Sequence, residues 1–448
     1  MIDFSVMDKY RSLVEDAERY IWDHPETGYK EFTTHEYLRN KIQQLGYTLV
    51  LQKDITGFYT VIDTHKQGPT VLLFAELDSL ICRLHPNSDA TTGAVHACGH
   101  HMQCAALLGV AAAFTDKKFT KNLCGKIKIC FIPSEEGLEL SFKKELKQKG
   151  IIKYFSGKQE YLYRGCFDDV DIAFMVHTDS VTNDGIKFHL DIGHNGLIRK
   201  ITTFKGKSSH AGFNPCDGIN ALNMASTALL TANSLRETFK EKDYVRFHGI
   251  ITHGGDAVNA VPEQVVLESF VRASNIQAIA STNKKINRVF AGVACAFGGN
   301  VHVEDIPGSL PLYNDKNLNA IAAEVLTDLV GANGFCYATE PKASSTDMGD
   351  ISSLIPSIHA YSHCALGMAH GSDFKIADSE VGGIETSKFI VALVIKLLEN
   401  NAQKAKYVID NFKPIFKTKK DYFDFQDSLQ KDEDLIIYND DGTATIKQ

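Results

Sequence analysis

Apolar positions recur along this chain in two rhythms, and each rhythm predicts a different kind of element. Residues 7–23 and 33–45 place apolar side chains every three or four positions, the period of a helix with one buried face. Asp23-His24-Pro25 closes the first and Gly46 the second. The runs 57–64, Thr70–Glu76, Lys126–Ile132 and 172–177 are short, rich in β-branched residues and bounded by turn signals. Such unbroken apolar runs predict strands of a sheet covered on both faces. Helices are expected between them over 98–116 and 138–150. The alternation predicts an α/β layer fold, a mixed sheet flanked by helices, with ligands collected where strands end.

From residue 195 the rhythm changes. Segments 198–207, 245–252, Gln264–Ala273 and 293–303 read as strands, and 218–237 and 275–291 as helices. This β-α-β-β-α-β order is a ferredoxin-like α+β unit that can stand as its own domain. Signals of the first kind return after Leu312. The expected organisation is a larger domain in two parts, 1–194 and 307–400, interrupted by a small domain at 195–306. Residues 401–448, rich in Lys, Asp and aromatics, read as an appendage.

Composition narrows the class. At 448 residues the chain exceeds one ordinary core, and 44% hydrophobic with 23% charged residues is the balance of a soluble globular protein. A net charge of −8 speaks against a nucleic-acid partner, which needs a basic stripe. Residues 1–20 mix acids, bases and apolar residues, so no secretory leader is expected there. Apolar stretches such as 104–114 and 389–395 fall short of the ~20 residues a membrane helix needs. Ten cysteines lie without paired spacing, as expected of reduced thiols in a cytoplasmic protein.

Polar clusters stand where the predicted strands end. Glu76-Leu77-Asp78 closes one strand, Pro133-Ser134-Glu135-Glu136-Gly137 follows a second and His177-Thr178-Asp179 a third. Cys98-Gly99-His100 precedes an Ala/Leu-rich run, and His370 lies beyond the small domain. Each has a plain reading: Asp78 as a helix cap, the glutamates as a solvated face, His177 as a core histidine. Together they supply one thiolate, one carboxylate and three imidazoles from Cys98, Glu136, His100, His177 and His370. That is too many donors for one tetrahedral ion with an open position, and suits two ions that share ligands. Glu135 is then free to move a proton, and Asp78 to orient a ligand. The thiolate favours zinc, while imidazole and carboxylate also accept manganese, cobalt or nickel. In the small domain, His210 sits among small residues and on spacing alone reads as a plain loop residue. Asn259, in the glycine-rich loop 254–262, and Arg272 match a carboxylate clamp in chemistry.

With these motifs in this order, the chain resembles the aminoacylase and hippurate-hydrolase family of di-metal peptidases. The likeness is greatest to its aminobenzoyl-glutamate hydrolase and plant indoleacetyl-amino-acid hydrolase branch. His24-Pro25-Glu26, Glu76-Leu77-Asp78-Ser79-Leu80, His96-Ala97-Cys98-Gly99-His100, Pro133 to Gly137, Ser208-Ser209-His210-Ala211 and Ser345 to Asp350 carry the resemblance. It implies a zinc-peptidase-like catalytic domain interrupted by a lid or dimerisation domain. It implies two divalent metals on Cys98, His100, Glu136, His177 and His370, with Glu135 as general base and acid. It further implies a homodimer in which His210 crosses from the partner subunit to the oxyanion, while Asn259, helped by Arg272, holds the substrate carboxylate. The expected reaction is hydrolysis of the amide in N-acyl or aminobenzoyl amino acids, small substrates with a free carboxylate. The rivals are a dipeptidase or aminopeptidase on unblocked dipeptides, and a non-catalytic metal-binding regulatory protein. The chain departs from the branch in two places: Cys98-Gly99-His100 is followed by His101-Met102-Gln103, and segment 138–165 is longer than usual and basic.

Overall fold

A computed structural model of the chain describes residues 3–182 and 184–447. They divide into two compact units, one of the described residues up to 192 with 313–340 and 350–415, the other of 193–312, 341–349 and 416–447. Among the described residues, no helix is long and apolar enough to cross a membrane.

The first unit is built on a mixed sheet. Its central strands lie in the order Lys126–Ile132, Thr70–Glu76, Ile172–Ser180 and Ser357–Leu366, each parallel to the next. Phe58–Asp63 and Leu49–Leu51 extend one side antiparallel, and Phe188–Leu190 with Phe335–Tyr337 extend the other. Every residue of Thr70–Glu76 is buried, as unbroken apolar strands between helical layers require. Register brings the polar endings level. Glu76 pairs with Ile132, and Leu73, three residues before Glu76, pairs with Phe174, three residues before His177. The strand expected to stop at 177 continues to Ser180, which places His177 on the sheet itself.

Helix His100–Ala113 is apolar almost all round and buried along its whole length, the behaviour of a core helix. Gly99 starts it at φ +88°, and a Cβ there would overlap the Thr178 hydroxyl. Only glycine meets both conditions.

The second unit has the ferredoxin-like order expected. Its antiparallel sheet runs Arg246–His253, Gln264–Ala273, Gly196–Lys205, Asn300–Pro307 and Lys431–Asp434. Helices Ala221–Ser234 and Ile276–Ala296 share its core with Phe204, Phe247 and Val265. The first helix is shorter than the expected 218–237, and the largest boundary difference follows the second helix. The helix carries on to Ala296 and the strand starts at Asn300, because Ile286, Phe290 and Ala294 prolong the buried stripe until Gly298 turns the chain at φ +71°. Lys200 is fully buried against Asp305, with Asn283 and Asn287 completing the polar cluster. Segment 431–434 pairs with Asn300–Pro307 as a further strand.

Candidate metal centre

Cys98 and His100 flank the left-handed Gly99, so both donors leave the start of one buried helix in fixed directions. Thr178 donates its hydroxyl to the Cys98 carbonyl at 3.0 Å, tying this turn to the strand that carries His177. His100 Nδ1 lies 2.8 Å from the Asp78 carbonyl and His177 Nδ1 2.7 Å from the Thr178 carbonyl. A carbonyl only accepts, so each Nδ1 bears a proton and Nε2 is the nitrogen left to face a cation. His177 Nε2 faces Cys98 Sγ at 3.6 Å.

The turn after Lys126–Ile132 carries the two glutamates. Asp78, fully buried, accepts from the backbone N–H of Glu135 at 3.1 Å and of Glu136 at 2.8 Å. Glu31, also fully buried, accepts from Ser134 N–H at 2.9 Å and from the Thr56 hydroxyl at 2.5 Å. Two buried acid side chains therefore hold three consecutive amides, and Ser134, the first of the three, sits at φ +57°. Lys143, buried, donates to the Glu136 carbonyl at 2.7 Å. His370 is half-exposed at φ +66°, anchored by its N–H to the Ala97 carbonyl, with Nε2 3.3 Å from Glu136 Oε1.

The five expected donors converge. Ligand atoms of Cys98, His100 and His177 lie within 4.8 Å of one another, and so do those of Cys98, Glu136 and His370. The two triads share the Cys98 sulfur. Glu135 joins His100 and Glu136 in a third such group. His100 Nε2 and Glu136 Oε1 are buried, 3.1 Å from Glu76 Oε2 and 3.3 Å from His370 Nε2, and neither contact has hydrogen-bond geometry. Imidazole, thiolate and carboxylate groups crowded this closely in a dry site are costly unless a positive charge meets them, so this donor set fits divalent cations.

The donors also shift one another's protons. Burial raises the Cys98 thiol, but His100 and His177 outweigh it and bring the pKa down to about 6. His370 is pushed up to about 11 by its contacts with Cys98 and Glu136. Glu136 falls to about 2 because His370 and His100 overcome its burial. A thiolate and a carboxylate are thus ready at neutral pH.

The other expected residues fall elsewhere. His101 is buried away from the donors, 3.3 Å from Glu18 and packed on Trp22 and His96. Glu26 caps the helix Phe32–Gln44 by accepting from Thr33 and Thr34 N–H, a structural task. His210 and Asn259 are exposed and adjacent in the second unit, where Ala211 N–H donates to the Asn259 carbonyl at 2.9 Å. His210 Nδ1 accepts from Phe213 N–H at 2.9 Å and Gly212 N–H at 3.2 Å, so its proton resides on Nε2. Arg272 stands near the far end of Gln264–Ala273, its guanidinium over Phe270 at 4.4 Å and its Nη1 3.4 Å from the Ala343 carbonyl. At ~3.3 Å per residue that strand separates it from the Asn259 loop by roughly 25 Å. Within one chain, therefore, the two do not form a single clamp.

Glu31 and Lys158 escaped the sequence reading. Glu31 directly precedes a helix and reads as an ordinary first-turn acid, while Lys158 lies in a basic run that reads as surface. Lys158 is instead fully buried against Glu76, below His100.

Residues 72–395 match Peptidase family M20/M25/M40. The chain is 25% identical over 416 residues to the Xaa-Arg dipeptidase of Mus musculus, covering 88% of this chain and 86% of that one. It is 25% identical over 368 residues to the IAA-amino acid hydrolase ILR1-like 2 of Arabidopsis thaliana, covering 80% and 78%. The crystal structure of the Bacillus subtilis YXEP protein, a dinuclear metal binding peptidase, superposes with a TM-score of 0.67 at 19% identity, over 87% of this chain and 99% of that one. A family match across most of the chain, a shared fold and a convergent donor set lead to one conclusion: the chain belongs to Peptidase family M20/M25/M40 and is a hydrolase of amide or peptide bonds.

Proposed function

We propose that the chain hydrolyses the amide joining an acyl or aminoacyl group to an amino acid with a free carboxylate, using two divalent cations. The observation that carries this reading is the pair of donor triads sharing one thiolate, Cys98–His100–His177 and Cys98–Glu136–His370. When bound, two cations there would polarise the scissile carbonyl and lower the pKa of the attacking water. The thiolate favours zinc over manganese, cobalt or nickel. Glu135, whose backbone is fixed by Asp78 and whose carboxylate is not needed in either triad, takes the water proton and returns it to the leaving amine. His210 has its Nε2–H free of the Nδ1 acceptor role and donates to the developing oxyanion. Asn259 beside it binds the substrate carboxylate. We place His210 and Asn259 at the centre of a second copy of the chain, which makes the working form a homodimer. Arg272, at the other end of its strand, serves as the lesser carboxylate contact. All ten cysteines are free thiols, which supports a reducing, cytoplasmic setting.

The test pairs chemistry with metal content. Glu135→Gln should lower kcat/KM by about 10²–10⁴-fold while elemental analysis finds unchanged metal. Wild-type turnover by that variant defeats the assignment. A panel of N-acyl amino acids against unblocked dipeptides, followed by amine release, decides which acyl partner the site takes. Metal-loaded protein inert to the whole panel would favour the non-catalytic alternative.

A further inference from the structure

The two places where the sequence departs from its branch meet at one carboxylate. Glu76 is 1% exposed, at the end of the central strand. Its Oε1 is 2.5 Å from Nζ of Lys158, a fully buried residue of the long 138–165 segment. Its Oε2 accepts from Gln103 Nε2 at 3.1 Å, and Gln103 Oε1 accepts from Glu76 N–H at 3.2 Å. The same Oε2 lies 3.1 Å from His100 Nε2, and Glu76 offers an oxygen within 4.8 Å of one from Glu135. Lys158 reaches this depth because helix Gly157–Tyr163 starts hard against the Pro133-Ser134 turn. Gly157 N–H donates to the Ser134 carbonyl at 3.1 Å, and a Cβ at Gly157 would overlap the Pro133 carbonyl.

An ionised, buried carboxylate so close to the imidazole and carboxylate donors is by its chemistry a further ligand for a divalent cation. Both of its oxygens are instead engaged, one in an ion pair and one by a side-chain amide. We propose that Lys158 and Gln103 hold Glu76 out of metal coordination, as a carboxylate kept beside His100, so that the ions see the thiolate, Glu136 and the three imidazoles. This rests on the di-metal reading above. Lys158 and Gln103 are positioning residues, and what they position is a carboxylate that must stay off the metal. Outer partners of this kind tune a metal without touching it.

Cobalt(II) titration of the metal-free full-length chain tests the proposal, because visible absorption reads coordination directly. In Lys158→Met, Glu76 gains a free oxygen, and the expected result is a loss of visible intensity as the coordination number rises. In Lys158→Met/Glu76→Gln, a neutral amide replaces the carboxylate, and the unaltered spectrum should return. Where Lys158→Met does not fold, Gln103→Leu and Gln103→Leu/Glu76→Gln make the same comparison by freeing the other oxygen. A wild-type spectrum in the single variants, or a change that Glu76→Gln does not reverse, overturns the proposal while leaving the metal site standing. No cobalt uptake by the unaltered chain overturns the metal reading and this proposal with it.

Discussion

Replacing Asp78 by alanine should damage stability and catalysis together, and the geometry fixes how much of each. The side chain accepts from two consecutive backbone amides, Glu135 and Glu136, at 3.1 and 2.8 Å, in a fully buried position. Hydrogen bonds to a charged group contribute about 1.5–3 kcal/mol each, so losing both costs about 3–6 kcal/mol, with two buried N–H groups left unpaired. The neighbouring Ser134 is held at φ +57°, a conformation that a residue with a Cβ resists by ~1–2 kcal/mol, so the freed turn will relax. A shift of about 1 Å in a catalytic group costs on the order of 10²-fold in rate. Asp78→Asn keeps one acceptor oxygen and should fall between the two states. Trp22, the chain's single tryptophan, packs 4.9 Å from His101 in the same unit as the site, so its fluorescence during urea unfolding reports on that unit. Metal-saturated kcat/KM gives the second readout. A stability change within about 0.5 kcal/mol of wild type, the range of ordinary surface substitutions, together with unchanged kcat/KM, would refute the clamp.

Metal stoichiometry should separate the shared donor from the private ones. Cys98→Ala removes an atom common to both triads and should lose both ions by elemental analysis, whereas His370→Ala should lose one; equal losses argue against a bridging thiolate. Glu31 provides a pH signature. Burial, and then the charge of Asp78, raise its pKa from 4.5 to about 8 in the folded chain. The native state therefore keeps a proton that the unfolded state gives up, and the associated stability is present below 4.5 and lost as pH rises through about 8. Glu31→Gln cannot ionise, so its melting temperature relative to wild type should climb between about pH 5 and about pH 9. Parallel melting curves across that range would contradict the assignment.

What the sequence disclosed and what it hid follow from the same physics. Candidate ligands at strand ends were legible because a buried apolar strand gives way where polar side chains begin, and Thr70–Glu76 and Lys126–Ile132 end level with one another while the strand of His177 runs on to Ser180. The glycine between Cys98 and His100 was legible as a loosened turn, though its close approach to Thr178 was not. Lys158 and Glu31 were hidden because a buried ionisable side chain carries no local mark; only its partners, here Glu76 and the Ser134 amide, distinguish it from a solvated one. Arg272 and Asn259 illustrate a different gap. Alternation tells which face of a strand a residue occupies but says nothing about which end a loop returns to, and these two lie near opposite ends of Gln264–Ala273.

Segment Lys431–Asp434 borders Asn300–Pro307, and His302 lies between Asp432 and Asp434 at 2.8 and 2.9 Å. A ribosome that has made residues 193–312 has thus produced a sheet whose Asn300–Pro307 flank is still bare, and more than a hundred further residues must be added before the covering strand exists. Until then the open backbone of that flank is a template for pairing with any other nascent chain. Excising the small unit at residue 312 for separate expression would make that exposure permanent, and fusions at the carboxyl end load the strand that seals it.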